Sequence, residues 1–366
     1  MRTIQPPLFS PETEWVMPEE LKDLSNYKEI AVDLETNDPD LTTLGSGNVV
    51  GRGHIAGIAL AVDGWSGYFP VKHENGGNMD KKLVFNWLKD IFKQEDTTFI
   101  FHNAMYDVCW LRFYGIEIKG KIVDTMIAAS LIDENRLSYQ LNTLARHYIG
   151  IGKDEKILQE AAKLWEVDPK KDLWRLPAMF VGQYAERDAE ATLKLWQRLK
   201  TELYAQELWS VFELELDLFP CLVDMRFKGV RVDLEKASNI KKNLIKQEQE
   251  ILNKIKGLTG VDVEIWTATS IAKVFDKLKL PYDRTEKTDA PSFTKNFLAN
   301  HPNEIAKDIA NAREINKSHT TFIDTITKHA VNGRIHADIN QIRSDQGGTV
   351  TGRFSMSNPN LQQIPA

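Results

Sequence analysis

The stretch Glu29-Ile-Ala-Val-Asp-Leu-Glu-Thr-Asn-Asp-Pro39 decides how this chain is read. Its first six residues are a β-branched and apolar run, and Thr36-Asn37-Asp38-Pro39 stops it, which predicts a short strand. Residues i and i+2 of a strand point to the same face. Asp33 and Glu35 therefore present two carboxylates side by side at the strand's end. Such a pair can grip one cation, or it can be an ordinary solvated strand end.

Outward from that strand, segments alternate. Ile55 to Val62 and Gly67 to Val71 read as a hairpin around Asp63-Gly64. Lys81 to Phe92 places Leu83, Val84, Trp87, Leu88 and Ile91 at the spacing of a helix face. Thr98 to Phe101 is another strand and Ala104 to Tyr114 another helix. Mixed strands followed by helices predict a central sheet covered by helices. From Pro177 onward strand signals nearly vanish. Val181 to Gln206, Leu208 to Lys228 and Leu234 to Lys256 read as long helices. An extended break lies at Gly229 to Asp233, where Asp233 is placed to cap the next helix. Thr269 to Leu278 and Ser292 to Ala299 are shorter helices, and Asn303 to Lys328 a long one. A domain boundary is expected near residue 205.

At 366 residues the chain exceeds what one core usually serves, so two domains are the default. The longest apolar run, Ile55 to Val62, is strand length and far short of the roughly 20 residues needed to span a bilayer. Met1 to Ser10 has no apolar segment of the kind that directs secretion. Cys109 and Cys221 lie far apart in apolar surroundings, which predicts buried thiols in a reducing cytoplasm. Net charge is −6, with residues 1–205 carrying 24 Lys+Arg against 31 Asp+Glu and residues 206–366 carrying 22 against 21. Acidity of the first part is compatible with a nucleic-acid partner when bound metal ions supply the positive charge that phosphates need.

Two more acidic pairs have informative spacing. Asn103 and Asp107, in His-Asn-Ala-Met-Tyr-Asp, lie four apart at the start of a helix that follows a strand. Tyr184 and Asp188, in Tyr-Ala-Glu-Arg-Asp, share a helix face. In-line attack of water on a phosphodiester builds charge on the attacking and leaving oxygens, which two metals about 4 Å apart can stabilise. Oxygen ligands suit Mg²⁺ or Mn²⁺, and no His/Cys cluster competes with a zinc reading. Each pair alone is a weak signal; order, spacing and context together carry the weight. His102 reads as a packing residue. Tyr106, Trp110 and Phe113 read as core, and Phe101 stays open between core and base stacking.

With those residues in that order, the chain resembles the DEDDy exonuclease superfamily, specifically the proofreading domain of family A (Pol I-like) DNA polymerases. Asp33 and Glu35 match its first motif, Asp107 its second, and Tyr184 with Asp188 its third. The resemblance implies an α/β RNase H-like exonuclease domain over residues 1–205, a mixed central sheet with helices. By it, Asp33, Glu35 and Asp188 hold the metal nearer the nucleophile, Asp33 also holds the second, and Asp107 acts on the second through water. Tyr184 orients the attacking water, because a phenol with a pKa of about 10 is a poor general base but a good hydrogen-bond partner. Thr36 and Asn103 touch the terminal nucleotide. Asp124, in Ile-Val-Asp-Thr-Met, matches a further recurrent acidic position, or simply caps the following helix.

The second half adds the most specific signal. Gly333-Arg-Ile-His-Ala-Asp-Ile-Asn-Gln341 leads into Thr349-Val-Thr-Gly-Arg-Phe-Ser-Met-Ser-Asn-Pro-Asn-Leu-Gln-Gln-Ile-Pro365. It is similar to the family A segment joining thumb to palm that grips the primer–template. Residues 206–366 are thus expected to be a mostly α-helical thumb with the start of a palm, incomplete. Arg343, Arg353, Ser355, Ser357, Asn358 and Gln362 put donors in a turn-rich loop suited to phosphate contacts that position without reading sequence. The palm carboxylates and fingers helix lie, in the family, beyond Ala366, so polymerisation is not expected from this polypeptide alone. The resemblance favours bacteriophage enzymes, hence the cytoplasm of an infected bacterium. Three readings follow: one part of a split polymerase whose second chain supplies palm and fingers, a stand-alone DNA exonuclease, or a non-catalytic primer–template clamp.

Overall fold

The computed structural model describes residues 11–152, 154–344 and 347–364. Strand β1 (Glu29–Asn37) lies at the centre of a five-stranded sheet of order β3-β2-β1-β4-β5, with β2 at His54–Val62, β3 at Trp65–Pro70, β4 at Thr98–Phe101 and β5 at Lys121–Asp124. β1, β2 and β3 pair antiparallel, while β4 and β5 run parallel to β1. The β2–β3 hairpin turns at Asp63-Gly64, with Val62 opposite Trp65 and Gly64 at φ 77°, as the two-residue loop requires. Between β1 and β2 the register shifts: Glu35 faces Gly57 but Thr36 faces Ile55, leaving Ala56 as the extra residue. Its carbonyl instead accepts the Val71 and Lys72 amides. Such a bulge bends a sheet locally, here at the end of β1 where its carboxylates sit.

Helices follow: the single turn α1 (Leu41–Leu44), then α2 (Lys81–Phe92), α3 (Ala104–Phe113), α4 (Thr125–Ile132), α5 (Leu141–Ile149) and α6 (Lys156–Leu164), then the long α7 (Gly182–Ala205) and α8 (Trp209–Lys228). The alternation of β1 sorts its side chains into two cores. Ile30, Val32 and Leu34 join Leu88 and Phe92 of α2 and Trp110 of α3. Ala31 joins Ala59, Ala61, Ile100 and the α7 residues Ala185, Ala189 and Trp196. Each large side chain buried in this way is worth about 1.5–3 kcal/mol relative to exposure. α7 is further stitched to β3 by its acids: Glu186 accepts the Tyr68 amide at 2.9 Å and the Trp15 indole at 2.8 Å, and Glu190 accepts Ser66 Oγ at 2.6 Å.

The chain packs as two compact units. The first takes the described residues up to Gly229 together with His336–Gln363; the second is Val230–Ile335. In the first unit the returning segment forms a hairpin of β11 (Asp338–Asn340) and β12 (Ser355–Ser357). Arg226 of α8, with a side chain 2% exposed, pairs with the Asp338 carboxylate, which also accepts Asn358 Nδ2 at 3.0 Å. Ser130 Oγ donates to the Arg343 carbonyl, and Gln341 Nε2 donates to the Glu215 carbonyl.

The second unit is mostly helical: α9 (Leu234–Thr259), α10 (Ala268–Lys277), α11 (Lys295–Asn300), α12 (Glu304–Lys317) and α13 (Asp324–His329). The strands β6 (Val230–Arg231), β9 (Ala330–Val331) and β10 (Arg334–Ile335) make a small sheet, and β7 (Asp283–Arg284) pairs with β8 (Pro291–Ser292). Ile255, Ile271, Val274, Phe275, Phe293, Leu298 and Ile309 form its core. Asp233 caps α9 through the Lys236 amide, as expected.

Several sequence expectations are corrected in detail. The long helix over Asn303 to Lys328 is interrupted by a wide π-type turn at Ser318–Ile323, where Ser318 and Thr320 hydroxyls bond back to the Glu314 and Asn316 carbonyls. Ser292 belongs to β8, and helix α11 starts only after its Thr294 cap. Leu83 stands exposed, and Cys221 is an exposed thiol while Cys109 is buried. No helix among the described residues is long and apolar enough to cross a membrane.

Removing one partner of a buried ion pair leaves an uncompensated charge, at a cost of about 3–5 kcal/mol. Arg226→Ala is therefore expected to destabilise the first unit by about 3 kcal/mol in urea unfolding, and adding Asp338→Ala to recover part of the loss.

Candidate active site

Each acidic motif sits where an element ends or begins. Asp33 and Glu35 occupy alternate positions of β1, on the face that carries Ala31 toward α7. Asp107 lies in the first turn of α3 and is buried. Tyr184 and Asp188 lie one turn apart near the start of α7, with Asp188 buried. Gly182 opens that helix because the Trp15 ring lies where a side chain would be: a Cβ there would stand 2.0 Å from it.

The fields that these groups exert on one another show that they converge. Burial raises the Asp107 carboxyl well above the ordinary carboxylate range, and the charges of Asp33, Asp124 and Glu35 raise it further. The Tyr184 phenol is likewise raised, by burial first and then by Asp188, Glu35 and Asp33. The second and third motifs thus each lie within electrostatic reach of the first. Their donors are all oxygen, the chemistry that Mg²⁺ or Mn²⁺ takes. Among the described residues, no group of three or more His, Cys, Asp or Glu side chains forms a metal-holding cluster, so the fit is one of donor chemistry.

Asp124 does cap its helix, accepting the Met126 amide at 2.8 Å, but it does more. It also accepts the Asn103 amide at 3.1 Å and the Ala104 amide at 2.7 Å, fastening the start of α3 to the end of β5. Asn103 turns the chain there at φ 69°, a left-handed conformation that asparagine tolerates better than most residues. Asp107 is therefore aimed by Asp124 and Asn103 together. His102 bonds to Thr125 Oγ1 at 2.8 Å, in keeping with a packing role. A cavity of about 40 Å³ separates Asn103, Asp124 and Met126 from the returning segment at Ile339, Gln341 and Ser344.

Three groups escaped the sequence reading. Tyr68, fully buried, has its phenol raised by burial, then by Glu35 and Asp33. Its ring lies over Gly57, the β2 partner of Glu35, where a Cβ would stand 2.1 Å from the hydroxyl. His73 bonds the Leu176 carbonyl through Nδ1 at 2.9 Å and Tyr68 through Nε2 at 2.7 Å. A carbonyl only accepts, so Nδ1 carries the proton and Tyr68 donates to Nε2. Burial holds His73 at a pKa of about 4, hence neutral. Tyr106 packs against the core as read, and its hydroxyl also bonds Thr36 Oγ1 at 2.7 Å and Asp38 at 3.2 Å. Only the third had a local signal, its position beside Asp107.

The expected primer-gripping donors are turned largely on their own hairpin. Asn340 Nδ2 donates to Ser355 and Ser357 hydroxyls, Asn358 Nδ2 to Asp338, and Gln362 Nε2 to the Phe354 carbonyl. Arg343 donates to the Glu134 carbonyl, while Arg353 is exposed.

A mixed sheet covered by helices, with carboxylates at the end of its central strand, followed by a helical region, defines the class of fold. Residues 11–204 match the model of the 3′-5′ exonuclease family and residues 234–366 that of DNA polymerase family A. The chain belongs to the 3′-5′ exonuclease family, in its family A DNA polymerase setting. It is 36% identical to a DNA-directed DNA polymerase of Pseudomonas phage M6, over all of this chain and 58% of the relative. It is 34% identical to the DNA polymerase DpoZ of Acinetobacter phage SH-Ab 15497, over 77% of this chain and 49% of that one, and 31% identical to DNA polymerase I of Geobacillus stearothermophilus, over 85% and 34%. The chain spans about half the length of the phage relatives it matches. The fold is similar to the POL domain of Pol1 from M. smegmatis, solved with DNA primer-template and dNTP, at a TM-score of 0.67 and 19% identity, covering 93% of this chain and 53% of that one.

A carboxyl raised on folding favours the protonated form in the folded state. Its contribution is fully present below the unfolded value, near 3.8 for Asp107, and is lost as pH rises through the folded value. Asp107→Asn is expected to match the parent at pH 4 and to gain stability over it at higher pH, by up to about 1.4 kcal/mol per unit. Thermal unfolding in EDTA from pH 4 to 8 measures this; a constant difference would contradict the burial of a titrating carboxyl.

Proposed function

We propose that this chain removes nucleotides from DNA 3′ ends as a proofreading exonuclease, residues 1–205 being the exonuclease domain and residues 206–366 the thumb and start of the palm. The supporting observation is the mutual influence of Asp33, Glu35, Asp107, Tyr184 and Asp188, brought to one site by β1, α3 and α7. The reaction is hydrolysis: a water oxygen attacks the terminal phosphorus, the penultimate 3′-oxygen leaves, and a nucleoside 5′-monophosphate departs.

Asp33, Glu35 and Asp188 would hold one divalent ion, with Asp33 shared to a second that Asp107 reaches through water. Bound Mg²⁺ or Mn²⁺ supplies positive charge where the attacking and leaving oxygens become negative. Tyr184 keeps its proton, because burial and the neighbouring carboxylates raise its phenol. It therefore orients the water by hydrogen bonding and does not act as a base. Thr36 and Asn103 belong to the terminal nucleotide in this reading, and Arg343, Arg353, Ser355, Ser357, Asn358 and Gln362 to primer–template. DNA as substrate, and an infected bacterium's cytoplasm as the setting, rest on what the relatives are named. The exonuclease reaction is assigned to these residues because its carboxylates are on them; polymerisation is not assigned to them.

Digestion of a 5′-labelled primer–template with a mismatched 3′ end tests this. Mg²⁺-dependent shortening is expected, stopped by EDTA and lowered at least about 10³-fold by Asp33→Ala/Glu35→Ala. Intact primer after incubation with the unmodified chain and Mg²⁺ would sink the reading.

A further inference from the structure

Helix α7 carries Tyr184 and Asp188 in its first two turns, yet its own sequence does little to fix where it starts. Val181 stands in the cap position, and no side chain caps the first amides. Gly182 follows, a residue that favours a helix less than any other except proline. The hold on this first turn comes instead from residues 11–18, which run without helix or strand. Thr13 Oγ1 accepts the Trp15 amide at 3.2 Å and donates to the Met179 carbonyl at 3.3 Å, in the turn that leads into α7.

From this strap the Trp15 ring turns inward and packs on the core between sheet and helix. It makes three contacts there. The ring lies against Gly182, where a Cβ would stand 2.0 Å from it. Its indole N–H donates to Glu186 Oε1 at 2.8 Å, one turn further along α7. Its face meets the Tyr68 ring edge-on, with centroids 6.1 Å apart. Tyr68 of β3 stands opposite Ala59 of β2, and Ala59 stands opposite Asp33 of β1. Residues directly opposite in antiparallel pairs share a face of the sheet. Trp15 therefore bears at once on the row that carries Asp33 and on the turn that carries Tyr184. Glu186 closes the triangle, because the same Oε1 also accepts the Tyr68 amide at 2.9 Å.

We infer that Trp15 is a positioning residue for the reaction: wedged between Tyr68 and Gly182, it sets how far Tyr184 and Asp188 stand from Asp33 and Glu35. The inference rests on the exonuclease reading and adds to it a group from outside the three acidic motifs. That spacing decides whether Asp33 and Asp188 can serve one ion and whether Tyr184 can aim a water. A displacement of about 1 Å is enough to cost about 100-fold in rate.

Trp15→Ala and Gly182→Ala test the wedge from its two sides. Each is expected to lower kcat on a 3′-mismatched primer–template at least about 10-fold, with KM within about 2-fold of the parent. Mn²⁺ affinity, read without DNA from the paramagnetic resonance of the free ion, should fall about 10-fold in both. With the ring gone the added methyl no longer meets it, so Gly182→Ala should change Trp15→Ala by no more than about 2-fold in either measurement. Trp15→Phe, which keeps an aromatic wedge without the N–H, should lose less than Trp15→Ala. Val84→Ala opens the core on the other face of the sheet; it should lower the melting temperature and leave kcat and Mn²⁺ affinity unchanged. Parent-like kcat and Mn²⁺ affinity in Gly182→Ala, or losses that multiply in the double variant, would overturn the wedge. Mn²⁺ affinity that follows Trp15 in a chain that shortens no primer would instead uphold it and remove the exonuclease reading.

Discussion

Alanine lies on both sides of the contact that places the site. Ala31, Ala59 and Ala61 on the sheet and Ala185 and Ala189 on α7 are all fully buried. Without bulk on either side, the helix rests close against β1 and β2. A larger residue at any of the five would force α7 away, at a typical cost of 1–3 kcal/mol and a shift of everything the helix carries. Tyr184 and Asp188 reach the carboxylates of β1 because of this proximity. The turn of α7 about its own axis is set by Glu186 and Glu190, which hold Tyr68 and Ser66 of β3.

Around that contact the fold works against its own electrostatics. A buried carboxyl at Asp107 is raised by burial and by neighbours of like charge, an arrangement that costs stability and that structures retain at functional sites. Compensation is local. Asp124 spends its oxygens on three backbone amides, at Asn103, Ala104 and Met126. Those bonds offset part of its own desolvation and lock the helix that bears Asp107. Tyr68 and neutral His73 satisfy each other without adding charge.

Family matches divide the chain between residues 204 and 234, whereas packing divides it after Gly229 and returns His336–Gln363 to the first unit. The two divisions answer different questions. A match follows the order of residues, while packing follows where buried groups find partners. Arg226 cannot be buried alone, and Asp338, 112 positions later, is its partner. A segment that resembles part of the polymerase thus becomes part of the body that holds Asp33, Glu35, Asp107 and Asp188.

The strand at Glu29, the hairpin at Asp63-Gly64, the helix Lys81–Phe92 and the cap at Asp233 were legible because each depends on neighbours within a few positions. The spacings that single out Asp33, Glu35, Asp107, Tyr184 and Asp188 as candidates are local in the same way, two or four apart. Helices α5 and α6 were not read, and the π-turn at Ser318 was missed because hydroxyls bonding back to carbonyls leave the apolar period unchanged. Sequence alone thus determined most of the elements and the candidate acidic groups, since periodicity and short spacings are properties of one segment. Only tertiary structure decided that Asp124 fastens the helix bearing Asp107, that Tyr68, bonded to His73, lies against the strand partner of Glu35, and that Lys170 and Lys171 line one groove with Thr36. Each of those joins groups on different elements, which packing and not local sequence brings together.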